Sequence, residues 1–266
     1  MIEFLTSGDA IMALITLTFL EVVLGIDNII FISIAAGKLP EDKRKKATNV
    51  GLVLALVQRI ILLFFVSFLT QLKEPFLKVE TEWIEFGLSW QGLILFVGGV
   101  FLLYKSTSEI REKIEVAGHS AVGVKAKAFK SFSQVIIQIL IIDFVFSIDS
   151  ILTAVGMTNG ISPDPSHGLM LMIIAVVISM IIMIAFANRI RIFIEKNPSM
   201  QVLGLAFLIL IAFLLVVESA HLSHMVVFGK GVGEIPKGYL YFAIAFSLGI
   251  EFINIRIKKN QKKVKK

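Results

Sequence analysis

Two short acidic motifs place carboxylates inside long apolar runs of this chain. The first reads Glu21-Val-Val-Leu-Gly-Ile-Asp27-Asn28, and the second reads Asp143-Phe-Val-Phe-Ser-Ile-Asp149-Ser150. In both motifs a second acid lies six residues after the first, with Ile before it and a small polar residue after it. A carboxylate at bilayer depth costs at least about 2.5–3.5 kcal/mol, so such acids are candidates for a functional site. The repetition predicts one composite site built from both motifs.

The oxygen atoms of these motifs are suited to a hard divalent cation. The six candidate ligands are Glu21, Asp27, Asn28, Asp143, Asp149 and Ser150. Neither run contains His or Cys, and an all-oxygen set favours Mn²⁺, Mg²⁺ or Ca²⁺ over Cu⁺ or Zn²⁺. The whole chain lacks cysteine, which excludes disulfides and thiol chemistry within it. Acids that converge at low dielectric can also exchange protons for a cation.

The spacing within each motif leaves two interpretations open. Positions six apart on an ideal α-helix lie about 120° away from a common face. Either the two acids of each motif contact different neighbours, or each helix is distorted, at Gly25 and at Ser147. We favour distortion, because glycine lowers the cost of unwinding and unwound carbonyl groups coordinate cations in transporters.

Other polar residues within or beside the apolar runs are further candidates. Arg59 lies mid-span and needs a partner at this depth. It is either a tethered counter-charge, which pairs with a site carboxylate when the cation leaves, or part of a permanent ion pair with acids that are purely structural. Weaker candidates are Glu218, which caps or gates the sixth run, and Glu251 with Asn254 in the seventh. For Glu251, pairing with Arg256 or helix packing is the simpler interpretation.

Seven apolar runs supply the elements that must position these side chains. The chain has 266 residues and is 56% hydrophobic, whereas soluble domains are nearer ~45–50% apolar. Each run is long enough to cross ~30 Å of hydrocarbon as a helix. The runs are approximately 10–36, 48–70, 88–104, 134–157, 168–187, 201–217 and 239–255. We therefore predict an all-α polytopic membrane protein with seven transmembrane helices in a single membrane domain, 1–266.

The basic residues predict the orientation of these helices. Of the 26 lysines and arginines, 21 lie after the first, third, fifth and seventh runs, and Arg59 lies within a run. The positive-inside rule then places the N-terminus outside and the C-terminus in the cytoplasm. This distribution makes the lipid bilayer the predicted partner and argues against nucleic acid. No P-loop pattern is present, which argues against ATP hydrolysis.

The first three runs repeat as the next three. The third and sixth runs resemble each other in Gly92-Leu-Ile-Leu-Phe-Val-Gly-Gly-Val-Phe101 and Gly204-Leu-Ala-Phe-Leu-Ile-Leu-Ile-Ala-Phe213. Repeat one covers about 10–110 and repeat two about 134–222, followed by an extra helix at 239–256 and a basic cytoplasmic tail at 256–266. An odd number of helices inverts the second repeat, so the acidic motifs meet near the membrane centre. Inverted repeats with a midplane site are typical of secondary transporters.

Taken together, the motifs resemble the TerC family of integral membrane proteins. The two acidic motifs, Phe101-Leu-Leu-Tyr-Lys105 and Ile235-Pro-Lys-Gly-Tyr239 carry the resemblance along nearly the whole chain. It implies a Mn²⁺ efflux transporter of the bacterial inner membrane, with no tightly bound cofactor. The positions that match the family's acidic motifs are Asp27, Asn28, Asp143 and Asp149. Gly25 stands where many relatives carry Ser, which removes one hydroxyl from this half of the site.

Two other functions compete with transport. Paired intramembrane aspartates are also found in aspartyl proteases, but neither Leu24-Gly-Ile-Asp27 nor Phe146-Ser-Ile-Asp149 matches their Gly-x-Gly-Asp pattern, so we predict no enzyme. The family is associated with tellurium resistance, and the second alternative is a non-transporting membrane component of a tellurite or envelope-stress resistance assembly. The sequence leaves open a homo-oligomer or a membrane-protein partner.

Overall fold

Within the part of the chain that the structure describes there are seven long helices, which confirms the predicted fold class. The computed structural model describes residues 2–66, 74–81, 83–118, 131–158, 160–162 and 164–264. The helices are α1 (Gly8–Ala36), α2 (Glu41–Phe64), α3 (Trp90–Gly118), α4 (Phe132–Thr158), α5 (Pro165–Lys196), α6 (Pro198–Leu222) and α7 (Lys237–Val264). All seven are long and apolar enough to cross a membrane. One helical turn, Ile2–Leu5, precedes them.

Local sequence signals explain where several helices begin. The Ser7 side chain accepts a hydrogen bond from the Ala10 amide, and Asp164 accepts one from the Ser166 amide at 2.9 Å. Both are N-caps, which satisfy amide groups that the first helical turn leaves unpaired. Pro165 and Pro198 occupy the first helical position of α5 and α6, where the missing N–H costs no hydrogen bond.

Large apolar side chains cover the outer surface of the bundle. Phe19, Phe64 and Phe242 are 66%, 66% and 70% exposed. Extensive apolar exposure is unusual for a soluble monomer. Contact with lipid tails removes the cost of exposing such side chains to water, so this surface is consistent with membrane insertion.

A small antiparallel sheet joins the loop between α2 and α3 to the loop between α6 and α7. Its strands, in spatial order, are β1 (Pro75–Glu80), β2 (Ile84–Ser89), β3 (Val226–Val227) and β4 (Lys230–Gly231). The sequence analysis did not predict these strands, which are short and mostly exposed. The end of the bundle that carries them is called the sheet end below.

The helices of the bundle pack in pairs. α3 lies on α6, α1 on α5, and α2 on both α4 and α5. α3 and α6 approach closely, since a Cβ at Gly99 would lie 2.8 Å from the carbonyl oxygen of Ala212. Small residues allow such close approach between membrane helices. α1 and α2 both contact α4, so the helices that carry the acidic motifs and Arg59 meet in the interior.

Ion pairs tie the helices together at the end opposite the sheet. The Glu109 carboxylate pairs with the ammonium groups of Lys38 and Lys105, the latter at 2.8 Å. Glu195 pairs with Arg191 at 2.8 Å and with Arg44 at 3.6 Å. These contacts link α3 to the turn after α1, and α5 to α2. They hold this end of the bundle together.

Candidate cation-binding site

Arg59 of α2 joins the first acids of the two motifs in the bundle interior. Its Nη1 lies 2.5 Å from Glu21 Oε2 of α1, and its Nη2 lies 2.9 Å from Asp143 Oδ1 of α4. A third contact joins Arg59 Nε to Asp143 Oδ2 at 3.4 Å. The side chains of all three residues are buried. Two acids from separate motifs therefore share one guanidinium, whose planar fork suits bidentate pairing with a carboxylate.

Two uncharged side chains complete the surroundings of Asp143. Asn28 Nδ2 of α1 donates to Asp143 Oδ1 at 3.2 Å, and Ser147 Oγ donates to Asp143 Oδ2 at 3.2 Å. The Ser150 hydroxyl, also buried, donates to the carbonyl oxygen of Ser147 at 3.3 Å. A buried carboxylate needs such partners, since an unpaired charge at low dielectric is strongly disfavoured. Five of the predicted site residues therefore lie together around Arg59: Glu21, Asn28, Asp143, Ser147 and Ser150.

The helix breaks predicted at Gly25 and Ser147 are absent, which corrects that interpretation. Both α1 and α4 continue through these positions as regular helices. A Cβ at Gly25 would lie 2.0 Å from the sulfur of Met183, so glycine allows α1 to pack against α5. Ser147 is fully buried and turns its hydroxyl towards an acid of its own helix. Close packing against Met183 accounts for the small residue at Gly25, and the hydrogen bond to Asp143 gives Ser147 a role that needs no unwinding.

The second acid of the α4 motif contacts a different neighbour, as the alternative interpretation of the spacing expects. Asp149 pairs with Lys237 of α7, whose Nζ lies 2.9 Å from Oδ1 and 2.7 Å from Oδ2. Lys237 Nζ also donates to Thr153 Oγ1 at 3.2 Å. Asp143 therefore pairs with Arg59, whereas Asp149 pairs with Lys237. The predicted ligand Asp27 lies on α1, but its side chain is outside the described residues.

A cavity of about 390 Å³ connects these two groups of charges. It is lined by Glu21, Ser150, Thr153, Glu218, Glu234 and Lys237, together with apolar residues of α1 and α4. A neighbouring cavity is lined by Asn28, Arg59, Asp149, Ser150, Glu218 and Lys237. Glu234 and Lys237 follow the small sheet, so the space lies between the sheet end and the buried acids. Glu218, predicted to cap or gate the sixth helix, lines both cavities.

Two weaker candidates lie away from this cluster. Asn254 Nδ2 donates to Glu251 Oε2 at 3.4 Å, and the described residues contain no ion pair between Glu251 and Arg256. The neighbouring Phe252 stacks on Phe193 near the end of α5, towards the end opposite the sheet. Glu251 and Asn254 therefore do not join Asp143 or Asp149.

Sequence reasoning missed Lys237 and Thr153. Lys237 lies before the seventh apolar run, and in the sequence only its place in Ile235-Pro-Lys-Gly-Tyr239 distinguishes it. Thr153 lies four residues after Asp149, on the same helix face, and that spacing is the signal that could have found it.

Within the part of the chain that the structure describes, no three His, Asp or Glu side chains are grouped closely enough to hold a metal ion.

Comparison with known proteins identifies the relatives of this chain. The model of the integral membrane protein TerC family matches residues 6–266. A UPF0053 protein of Haemophilus influenzae is 40% identical over 262 residues, which cover 98% of this chain and 100% of the relative. The UPF0053 inner membrane protein YgdQ of Escherichia coli K12 is 41% identical over 257 residues, or 96% and 97% of the two chains.

A longer relative matches over only part of its length. The UPF0053 inner membrane protein YoaE of Escherichia coli K12 is 40% identical over 258 residues, which cover 97% of this chain and 45% of the relative. No solved structure matches the chain. The motifs, the seven apolar helices and the match across residues 6–266 agree: the chain belongs to the TerC family of integral membrane proteins.

Proposed function

We propose that this protein is a divalent-cation transporter of the bacterial inner membrane, most simply a Mn²⁺ exporter, and not an enzyme. The observation that carries the proposal is the meeting of Glu21 and Asp143, one acid from each motif, at a buried position beside a cavity. A permanent ion pair needs no such access. The relatives named as inner membrane proteins support the location.

The transported ion would replace protein cations at the carboxylates. Arg59 and Lys237 now pair with the carboxylate oxygen atoms that would coordinate a metal ion. Binding therefore requires at least one of these side chains to move, which fits the lack of a ready three-acid cluster among the described residues. The all-oxygen ligand set supports a hard cation such as Mn²⁺. Proton exchange at the same carboxylates would provide the coupling.

The inverted repeat and the orientation are part of the same proposal. A two-fold relation between helices 1–3 and 4–6 would exchange the pair α1–α5 with the pair α4–α2, and both pairs are packed together. It would map α3–α6 onto itself, and these helices also pack closely. The excess of basic residues at the end opposite the sheet favours a cytoplasmic location for that end. The cavity would then open to the outside.

Mn²⁺ flux into proteoliposomes tests the proposal. We would compare wild type with Asp143→Asn, Asp149→Asn and the double variant Asp27→Asn/Asp149→Asn, with and without a pH gradient. The matched control is Glu85→Gln, which removes an exposed acid from the sheet. We expect wild-type and control flux to be equal, and flux in the site variants to fall at least about tenfold, since each loses a charge that the cation needs.

The outcomes separate the competing functions. Flux that is unchanged in all the site variants would refute a transport role for the motifs. An absence of wild-type flux under every gradient would refute transport altogether. The non-transporting resistance component would then be favoured if tellurite protection in cells survived loss of both Asp27 and Asp149.

A further inference from the structure

Lys237 sits where helix stability does not explain a lysine. It is the first residue of α7, and the N-terminus of a helix carries a positive partial charge that disfavours cations. Its side chain nevertheless lies in the cavity and is only 23% exposed. A strong interaction must therefore hold the ammonium group there.

The surroundings of the ammonium group resemble a small cation site. An ammonium has three hydrogens to donate, and Lys237 Nζ has three oxygen acceptors within 3.2 Å: both Asp149 carboxylate oxygens and Thr153 Oγ1. The Thr153 hydroxyl donates its own hydrogen to the carbonyl oxygen of Asp149 at 3.0 Å, which leaves its lone pairs free to face the ammonium. Oxygen ligands of this kind also suit a hard metal ion.

The repeat itself does not provide this cation. Arg59 of α2 neutralises the first acids of both motifs, whereas α5, the counterpart of α2 in the proposed repeat, has no lysine or arginine from 165 to 188. The cation for Asp149 comes instead from the added helix α7, which is the least buried of the seven. A side chain on a peripheral helix can leave the site without disrupting the packed pairs.

We infer that Lys237 is a tethered competitor for the transported cation: its ammonium group occupies the Asp149 part of the site until a metal ion displaces it. The inference rests on the proposed function, and it assigns to Lys237 the control of apparent affinity. A purely structural salt bridge between α4 and α7 would behave differently: its removal would not tighten metal binding.

Metal titration of the purified protein tests this inference. We would measure Mn²⁺ affinity by electron paramagnetic resonance for wild type, Lys237→Gln and the control Lys230→Gln, which removes an exposed lysine of the sheet. Loss of the competing charge should tighten Mn²⁺ binding about tenfold or more in Lys237→Gln, equivalent to about 1.4 kcal/mol. Lys237→Arg should retain weak, wild-type-like binding. Unchanged or weaker affinity in Lys237→Gln would overturn the inference.

Chemical rescue sharpens the test, because the chain has no cysteine. Lys237→Cys provides a single thiol, which aminoethylation converts into a close analogue of lysine. We expect tight Mn²⁺ binding in Lys237→Cys and a return to wild-type affinity after aminoethylation. If aminoethylation left the affinity unchanged, the charge of residue 237 would not set it, and the inference would be wrong.

A measurement on the wild-type protein covers the case of a variant that does not fold. Saturating Mn²⁺ should increase the reactivity of Lys237 with an amine-specific reagent, since the displaced ammonium loses its carboxylate, while Lys230 should react equally with and without metal. Lys237 reactivity that did not rise would overturn the inference. If wild type neither bound nor transported Mn²⁺, the proposed function would fail with it; if wild type bound and transported Mn²⁺ but Lys237 had no effect, only this inference would fail.

Discussion

Removal of the Arg59 charge should destabilise the protein strongly. The side chain is 3% exposed and lies 2.5 Å from Glu21 and 2.9 Å from Asp143. Arg59→Met keeps much of the side-chain volume and leaves two carboxylates buried together without a cation. The perturbation therefore tests whether the central ion cluster stabilises the fold, and whether a metal ion can take the place of the arginine.

The geometry sets the size of this destabilisation. Two unit charges 4 Å apart attract by about 4 kcal/mol at an effective dielectric constant of about 20. Burial costs each ion several kcal/mol, so the intact cluster contributes less than the sum of its attractions. Removal of one partner of a buried pair costs about 3–5 kcal/mol, because the other charge stays buried and unpaired. We expect the free energy of unfolding of Arg59→Met to fall by about that amount.

Equilibrium unfolding in detergent is the assay. The control is the triple variant Arg59→Met/Glu21→Gln/Asp143→Asn, which removes the unpaired charges and should recover most of the lost stability. Mn²⁺ at about 100 times its dissociation constant for Arg59→Met should stabilise that variant by about 2.7 kcal/mol. At the same Mn²⁺ concentration wild type should gain less, because displacement of Arg59 weakens its Mn²⁺ binding.

Three results would refute this reasoning. A loss below about 1 kcal/mol in Arg59→Met would show that the buried cluster is not a major source of stability. A triple variant no more stable than Arg59→Met would show that unpaired charge is not the cause of the loss. Equal stabilisation of wild type and Arg59→Met by Mn²⁺ would favour the permanent ion pair over the tethered counter-charge.

Three further predictions concern packing, the opposite end of the bundle and orientation. Gly25→Val should lower the free energy of unfolding by about 1–3 kcal/mol, because the added atoms overlap Met183, and Met183→Ala should restore part of the loss. Glu109→Gln should lower it by about 1–3 kcal/mol, since two lysines lose a partner whose side chain is 5% exposed, and unchanged unfolding would contradict the role of that cluster. In intact cells, an impermeant thiol reagent should label Lys230→Cys but not Lys196→Cys; the reverse pattern would overturn the proposed orientation.

Sequence reasoning located the helices well because hydrophobic length is a local property. A run long enough to cross the hydrocarbon core as a helix can be identified without knowing its neighbours. The acidic motifs were equally visible, because a charge inside such a run is conspicuous. The four-stranded sheet was not predicted, since its strands are short, mostly exposed and formed by loops far apart in the chain.

The sequence by itself therefore determined the number of membrane-length helices, the family, and the acids that lie in the interior. Only the tertiary structure decided what those acids contact: Arg59 lies 38 residues from Glu21 and 84 from Asp143, and Lys237 lies 88 residues from Asp149. It also decided that α1 stays helical at Gly25, since the reason for glycine there is the sulfur of Met183 on another helix. Local patterns fix which residues enter the membrane, but pairing of buried charges depends on distances between helices that no local pattern contains.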